Sequence, residues 1–192
     1  VFPIAQVGAV PVLVDVDLDT YNISPEAAER AITPRTRAIM PVHLLGNPCD
    51  LYNLMQMASV HHLKVVEDAC ESHGATLDGH KMGQWGDLGT FSFFFSHHIS
   101  TIEGGMVVTG NEQLAEKVRS MRAFGWIREY SDGHRNHIAA RYSDIDPRFL
   151  FFDAGYNFRP TEIQGAFGIH QVPRLERFIH YRRENAAYWG RE

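Results

Sequence analysis

The sequence predicts an α/β fold with a mostly parallel sheet between helices. Three observations carry that prediction. The apolar runs at residues 10–16, 38–45 and 63–66 are nearly continuous rather than alternating, as strands covered on both faces require. Segments with helix caps and apolar faces separate them, giving the order strand–helix–strand–helix–strand. Two of the runs end in acids, and strand ends are where open α/β sheets place ligands.

The elements follow in chain order. Residues 10–16 (VPVLVDV) read as a buried strand. Ser24, Pro25 and Glu26 supply an N-cap, a proline at the first helical position and an acid in the first turn, so a helix runs to about Ile32 and stops before Pro34. Residues 38–45 form a second strand, closed by Gly46-Asn47-Pro48. Asp50 caps a helix with Leu51, Leu54, Met55 and Ala58 on one face. Leu63 to Val66 is a third strand, ending at Glu67-Asp68. A turn-rich patch at 78–83 precedes strands at about 89–95 and 105–109. Asn111 caps a helix from Glu112 to Phe124, stopped by Gly125. Residues 126–148 are charged, rich in histidine and unpatterned, and read as a surface excursion. An amphipathic pattern then runs from Pro160 towards Trp189, broken at Pro173.

Bulk properties narrow the function. The 192 residues suffice for one sizeable domain or part of a larger protein. A net charge of -5 gives no basic field for nucleic acid or anionic lipid. Cys49 and Cys70 make neither a disulfide framework nor a CxxC metal site, which suits a reducing cytoplasm. No stretch approaches the roughly 20 apolar residues of a membrane span. The opening Val1-Phe2-Pro3 is neither an initiator sequence nor a signal peptide, and the expectation is a fragment that starts inside a fold.

Two strand exits hold the candidate chemistry. Asp68 suits pairing with a protonated ring nitrogen or a hydroxyl; the alternative is a loop acid capping Ser72 or the backbone. The run Ser92-Phe93-Phe94-Phe95-Ser96-His97-His98 leaves the core on an apolar strand. A histidine there can act as a general base, hold a phosphate or bind metal. Metal needs three or four ligands, and adjacent residues on extended chain point opposite ways, so His97, His98 and Glu103 are a weak set. Glu103-Gly104-Gly105 permits a close backbone approach or is a plain turn. His61-His62 reads as a helix-end surface feature, and His134 and His137 as solvent-facing. Asn157 caps the following helix or helps bind an anion. The residues alone thus give an α/β enzyme with its site near 68–72 and 92–105.

Longer motifs add a resemblance. Residues 65–75 (VVEDACESHGA), 86–93 (GDLGTFSF), 103–109 (EGGMVVT), 41–46 (PVHLLG) and 155–164 (GYNFRPTEIQ) resemble, in order and spacing, the DegT/DnrJ/EryC1/StrS nucleotide-sugar aminotransferases. That family implies the pyridoxal 5'-phosphate-dependent transferase fold of aspartate aminotransferase (fold type I). Residues 1–170 would then belong to the cofactor-binding large domain, without its N-terminal part. Residues 171–192 would start the helix leading to a C-terminal small domain, mostly missing.

The family normally carries, after the Ser-Phe strand, a lysine that holds the cofactor covalently. The lysines here are Lys64, Lys81 and Lys117, and alignment puts His97 at that position. Imidazole cannot form the covalent link but can shuttle a proton. The pattern resembles the 3-dehydratase branch, which uses pyridoxamine 5'-phosphate to deoxygenate nucleotide-linked 4-keto-6-deoxy sugars in dideoxysugar and O-antigen (lipopolysaccharide) biosynthesis. Two cysteines far from the loop argue against the iron–sulfur style of that branch. The cluster-free style, with GDP as the nucleotide and L-glutamate as amino donor, matches better. The resemblance further implies that His97 is the catalytic base and Asp68 the partner of the ring nitrogen. Ser92 would contact the cofactor phosphate, and Glu71 would lie against or beside the ring. Asn157 would reach the phosphate of a neighbouring subunit's cofactor, making a homodimer. The competing readings are a sugar aminotransferase, a metal-dependent hydrolase on His97, His98 and Glu103, and a non-catalytic domain.

Overall fold

Leu51 and Leu54 have no exposed surface, and around them the first half of the chain is assembled. The structure, a computed structural model, describes residues 1–191. It divides into two units, Val1–Gly89 and Thr90–Glu192.

In the first unit a short helix, α1 (Phe2–Gln6), leads into residues 10–16. These do not form the expected buried strand. Only Val16 pairs, in an isolated bridge with Ile23. Val10, Val12 and Leu13 are exposed, and Pro11 removes a ladder donor. Helix α2 (Pro25–Ala31) starts as expected, with Ser24 Oγ accepting the Ala27 N–H at 3.2 Å. The second expected strand shrinks to β1 (Ala38–Ile39) plus a bridge from Val42 to Asp68. Pro41 interrupts the ladder, and the chain turns at Leu44–Gly46, where Leu45 adopts φ 52°.

Helix α3 (Leu51–Val60) is capped by Asp50, whose Oδ1 accepts the Asn53 N–H. Its buried face is Leu51, Leu54, Met57 and Ala58, so Met57 stands where Met55 was expected. Strand β2 (Lys64–Asp68) lies parallel to β1, with Ala38 opposite Lys64 and Ile39 opposite Val65. Hairpin β3 (Thr76–Leu77) and β4 (His80–Lys81) follows the β2 exit. Strand β5 (Leu88–Ser92) begins beside β2 and carries the chain into the second unit.

There β5 meets β6 (Gly105–Val108), and Asn111 caps α4 (Glu112–Arg122) through its Oδ1. The helix ends at Arg122, short of the expected Phe124, and the chain turns through Phe124 (φ 65°) and Gly125. The Gly125 φ of 82° favours glycine, and a Cβ there would stand 1.7 Å from the Asp153 carbonyl oxygen. Residues 126–148 are not the unpatterned excursion the sequence suggests. They contain a short turn, helix α5 (Asp132–Arg141) and a second turn, with Ile127, Tyr130, Ile138 and Leu150 forming a small core. The apolar residues there are too widely spaced to show one helical period. The final pattern forms α6 (Glu162–Gln171) and α7 (Leu175–Trp189), broken at Val172–Arg174 by Pro173 as expected. No helix among the described residues is long and apolar enough to cross a membrane.

Candidate active site

The β2 exit places two adjacent acids on opposite sides of the strand, because side chains alternate. Glu67 points inward and is fully buried. Its carboxylate accepts the N–H groups of Gly83, Trp85 and Gly86, each at 2.7 Å, and His43 Nε2 at 3.0 Å. Burial pushes this carboxyl up, yet the His43 and backbone hydrogen bonds outweigh it and leave its pKa below the ordinary value. His43 Nδ1 accepts the Cys49 N–H at 3.1 Å, which puts the ring proton on Nε2, facing Glu67. The pair is therefore a neutral histidine donating to a carboxylate. Cys49 is buried beside it, and burial drives its thiol up to about 12.

Asp68 takes the other side of β2. Its backbone is fixed at both ends, by Asp68 N–H on the Pro41 carbonyl (2.8 Å) and His43 N–H on the Asp68 carbonyl (3.1 Å). Its Oδ1 accepts the Cys70 N–H at 3.1 Å, so the acid does cap the local backbone, at Cys70 and not at Ser72. Among the described residues Oδ2 accepts no hydrogen bond, so a half-buried carboxylate oxygen stands ready at a strand end. Glu71, three residues on, spends Oε2 on the Leu45 N–H at 2.8 Å. That bond steadies Leu45 in its left-handed conformation.

The β5 exit carries the other residues. Ser92 is half-buried, and its Oγ accepts the Phe94 N–H at 3.2 Å. The chain then bends, with His97 N–H on the Phe94 carbonyl at 3.1 Å. The His97 ring is half-buried and sits edge-on to Phe94, centroids 6.3 Å apart. Among the described residues its nitrogens make no hydrogen bond, so both are open to a substrate or cofactor. His98 Nδ1 is buried, unlike the ring of an exposed surface histidine. The loop returns through Thr101, and Phe93 N–H meets the Gly104 carbonyl at 2.9 Å. Asn157 lies on a separate loop, exposed and bridged to Ala123, with Oδ1 accepting from Arg159 Nε at 3.0 Å.

Asp68 and Glu71 thus share the β2 exit, and Ser92 and His97 the β5 exit. No three His, Cys, Asp or Glu side chains among the described residues gather as a metal site. The residues that sequence reasoning passed over are His43 and Glu67. The signal was present: adjacent acids on one strand face opposite ways, so one of them had to be buried and hydrogen-bonded.

A carboxylate at one strand exit, and a hydroxyl and an imidazole following another, are side chains of the kind that α/β folds carry at their ligand-binding ends. The chain belongs to the DegT/DnrJ/EryC1/StrS aminotransferase family, whose match spans residues 1–192. It is 45% identical over 189 residues to a GDP-4-keto-6-deoxy-D-mannose 3-dehydratase of Yersinia pseudotuberculosis, covering 97% of this chain and 47% of that protein. It is 40% identical over 190 residues to the protein of that name from Escherichia coli O55:H7, covering 98% of this chain and 48% of the other. Among solved structures, GDP-4-keto-6-deoxymannose-3-dehydratase with bound GDP-perosamine superposes with a TM-score of 0.87 at 40% identity, over 97% of this chain and 48% of that one. The same enzyme with a trapped PLP-glutamate geminal diamine gives 0.84 at 38% identity, over the same shares. The fold is accordingly that of the pyridoxal-phosphate-dependent aminotransferases, as the sequence predicts. The chain spans about half the length of these relatives.

Proposed function

We propose that the protein carrying this chain is a 3-dehydratase that uses pyridoxal and pyridoxamine 5'-phosphate. Its substrate would be a GDP-linked 4-keto-6-deoxy sugar, its amino donor L-glutamate, and its product a precursor of dideoxysugars for lipopolysaccharide O-antigen. The observation that carries the reading is His97: a half-buried imidazole without hydrogen bonds among the described residues, where the family's lysine would stand.

The residues fit the cofactor. Asp68 offers a free carboxylate oxygen at a strand end, suited to a protonated ring nitrogen, and Ser92 offers a hydroxyl for phosphate. Bound, the cofactor would supply an amine for the sugar's C4 ketone and a ring able to accept electrons. Asp68 keeps the ring nitrogen protonated, which strengthens that acceptance. His97 takes the proton from the cofactor's C4′ carbon and returns one to the departing C3 oxygen, which leaves as water. The balanced overall change would convert the 4-keto-6-deoxy sugar and L-glutamate to the 4-keto-3,6-dideoxy sugar, 2-oxoglutarate and ammonia. Glu71 lies beside the ring, with one oxygen held by Leu45. Asn157 reaches the phosphate bound by a neighbouring subunit, so the enzyme is a homodimer, and it works in the cytoplasm. Residues 1–170 belong to the cofactor-binding domain, and 171–192 begin the helix towards a small domain.

The test is ammonia release by the full-length protein given glutamate and either GDP- or CDP-linked 4-keto-6-deoxy sugar, with borohydride trapping in parallel. The expected outcome is ammonia and deoxygenated product with the GDP sugar, and no covalently trapped cofactor. A trapped cofactor with a 4-amino sugar product would make the protein an aminotransferase.

A further inference from the structure

The loop that bears His97 is closed at its C-terminal end by one side chain from a distant helix. Gln164, in the first turn of α6, donates from Nε2 to the Glu103 carbonyl at 2.9 Å. Its Oε1 accepts the Thr161 N–H at 2.8 Å, the glutamine half of a capping box. One partner can only accept and the other can only donate, so the orientation of the amide is fixed. The Glu103 carbonyl also accepts Thr101 Oγ1 at 2.8 Å, which fills both of its lone pairs. Thr101 is itself buried, and its N–H meets the Phe93 carbonyl at 2.9 Å, across the base of the loop. Between Thr101 and Glu103 sits Ile102 at φ 72°, a β-branched residue in the left-handed region. Such strain persists only where the surroundings over-determine it. Those surroundings are Ser100, whose Oγ accepts the Ile102 N–H at 3.0 Å, together with Thr101 and Gln164 on the next carbonyl.

We infer that Gln164 is a positioning residue for His97: by clasping the Glu103 carbonyl it holds residues 94–103 in the conformation that presents the imidazole. Thr101 is the second half of the clasp. The inference rests on His97 being the base, but the clasp can be measured without turnover. Gln164→Glu is the informative change. A carboxylate still accepts the Thr161 N–H, so α6 keeps its cap, but it cannot donate to a carbonyl.

The experiment is amide hydrogen exchange on full-length Gln164→Glu and wild type, followed by steady-state kinetics. Exchange in residues 94–103 should quicken roughly five- to tenfold, the equivalent of one neutral hydrogen bond. The first turn of α6 should be unchanged. Thr101→Val, nearly isosteric, should give the same loop-specific increase. Both variants should lower kcat with KM for the sugar and cofactor affinity unchanged. Unchanged exchange in 94–103, or faster exchange confined to α6, overturns the clasp. Faster loop exchange with wild-type kcat overturns the positioning role. If the wild type itself does not dehydrate, the proposed function has failed, and the exchange data still decide the clasp.

Discussion

With His97 at the family's lysine position, as proposed, the side chain there decides between two chemistries. A lysine amine can hold pyridoxal phosphate covalently; an imidazole can only move protons. Its surroundings suit either, because the ring is half-buried and no described residue claims its nitrogens. Two substitutions separate the roles. His97→Lys should yield a cofactor trapped by borohydride, visible as a mass increase on the chain, with dehydration abolished. His97→Asn should still bind cofactor, while dehydration falls by at least about a hundredfold, the usual worth of a positioned acid–base group. Dehydration at the wild-type rate in either variant would remove His97 as the base. The places of Asp68 and His97, at and after strand ends, were legible in the sequence because apolar runs mark where strands leave the core. Gln164 was not, since its partner lies 61 residues away and only folding joins them. Nor was the burial of His43, a polar residue inside an apolar run whose partner is set by tertiary structure.

Among the elements, α5 is held to α4 by one buried carboxylate. Glu116 Oε1 accepts the Ser131 N–H at 2.9 Å, and Oε2 accepts His134 Nδ1 at 3.0 Å. The Ser131 hydroxyl first, then His134 and the Ser131 amide, hold the Glu116 carboxyl down at about 2. A depressed carboxylate pKa stabilises the fold above its unfolded value, 4.5, and that contribution fades as pH falls to about 2. Wild type should therefore resist urea better than Glu116→Gln near neutral pH, and the two should converge between pH 4.5 and about 2. An equal gap at both ends of that range would show that the carboxylate charge does not anchor α5. His134 was expected to face solvent, and its ring is indeed part-exposed, but it is also spoken for by Glu116. The sequence located helices well where caps marked them, at Ser24, Asp50 and Asn111. It overcounted strands because an apolar run becomes a strand only where a neighbour accepts its hydrogen bonds. Residues 10–16 have that neighbour only at Val16, and residues 40–45 are cut short by Pro41.

For the whole molecule the proposed homodimer makes the most demanding prediction, because it assigns parts of one site to two chains. Asn157 is exposed and held by Arg159, free to meet something beyond its own loop. Helix α6, which follows it, buries none of its residues, and Ile163 and Ile169 are 66% and 72% exposed. An apolar, unburied helix beside the asparagine proposed to meet a phosphate suits a surface that another chain covers. If Asn157 serves its partner's cofactor phosphate while His97 serves its own, the two defects lie in different chains of each site. His97→Asn and Asn157→Ala should each be nearly inactive as pure dimers. Mixed at equal amounts and allowed to exchange subunits, about half of the dimers carry one of each. In such a dimer one site has both defects and the other has neither. Mixing should therefore restore about a quarter of wild-type ammonia release. No recovery, in a mixture whose subunit exchange has been confirmed by native mass spectrometry, would mean that Asn157 acts within its own chain. Recovery of that size would place a catalytic base and a phosphate ligand of one site on two copies of the protein.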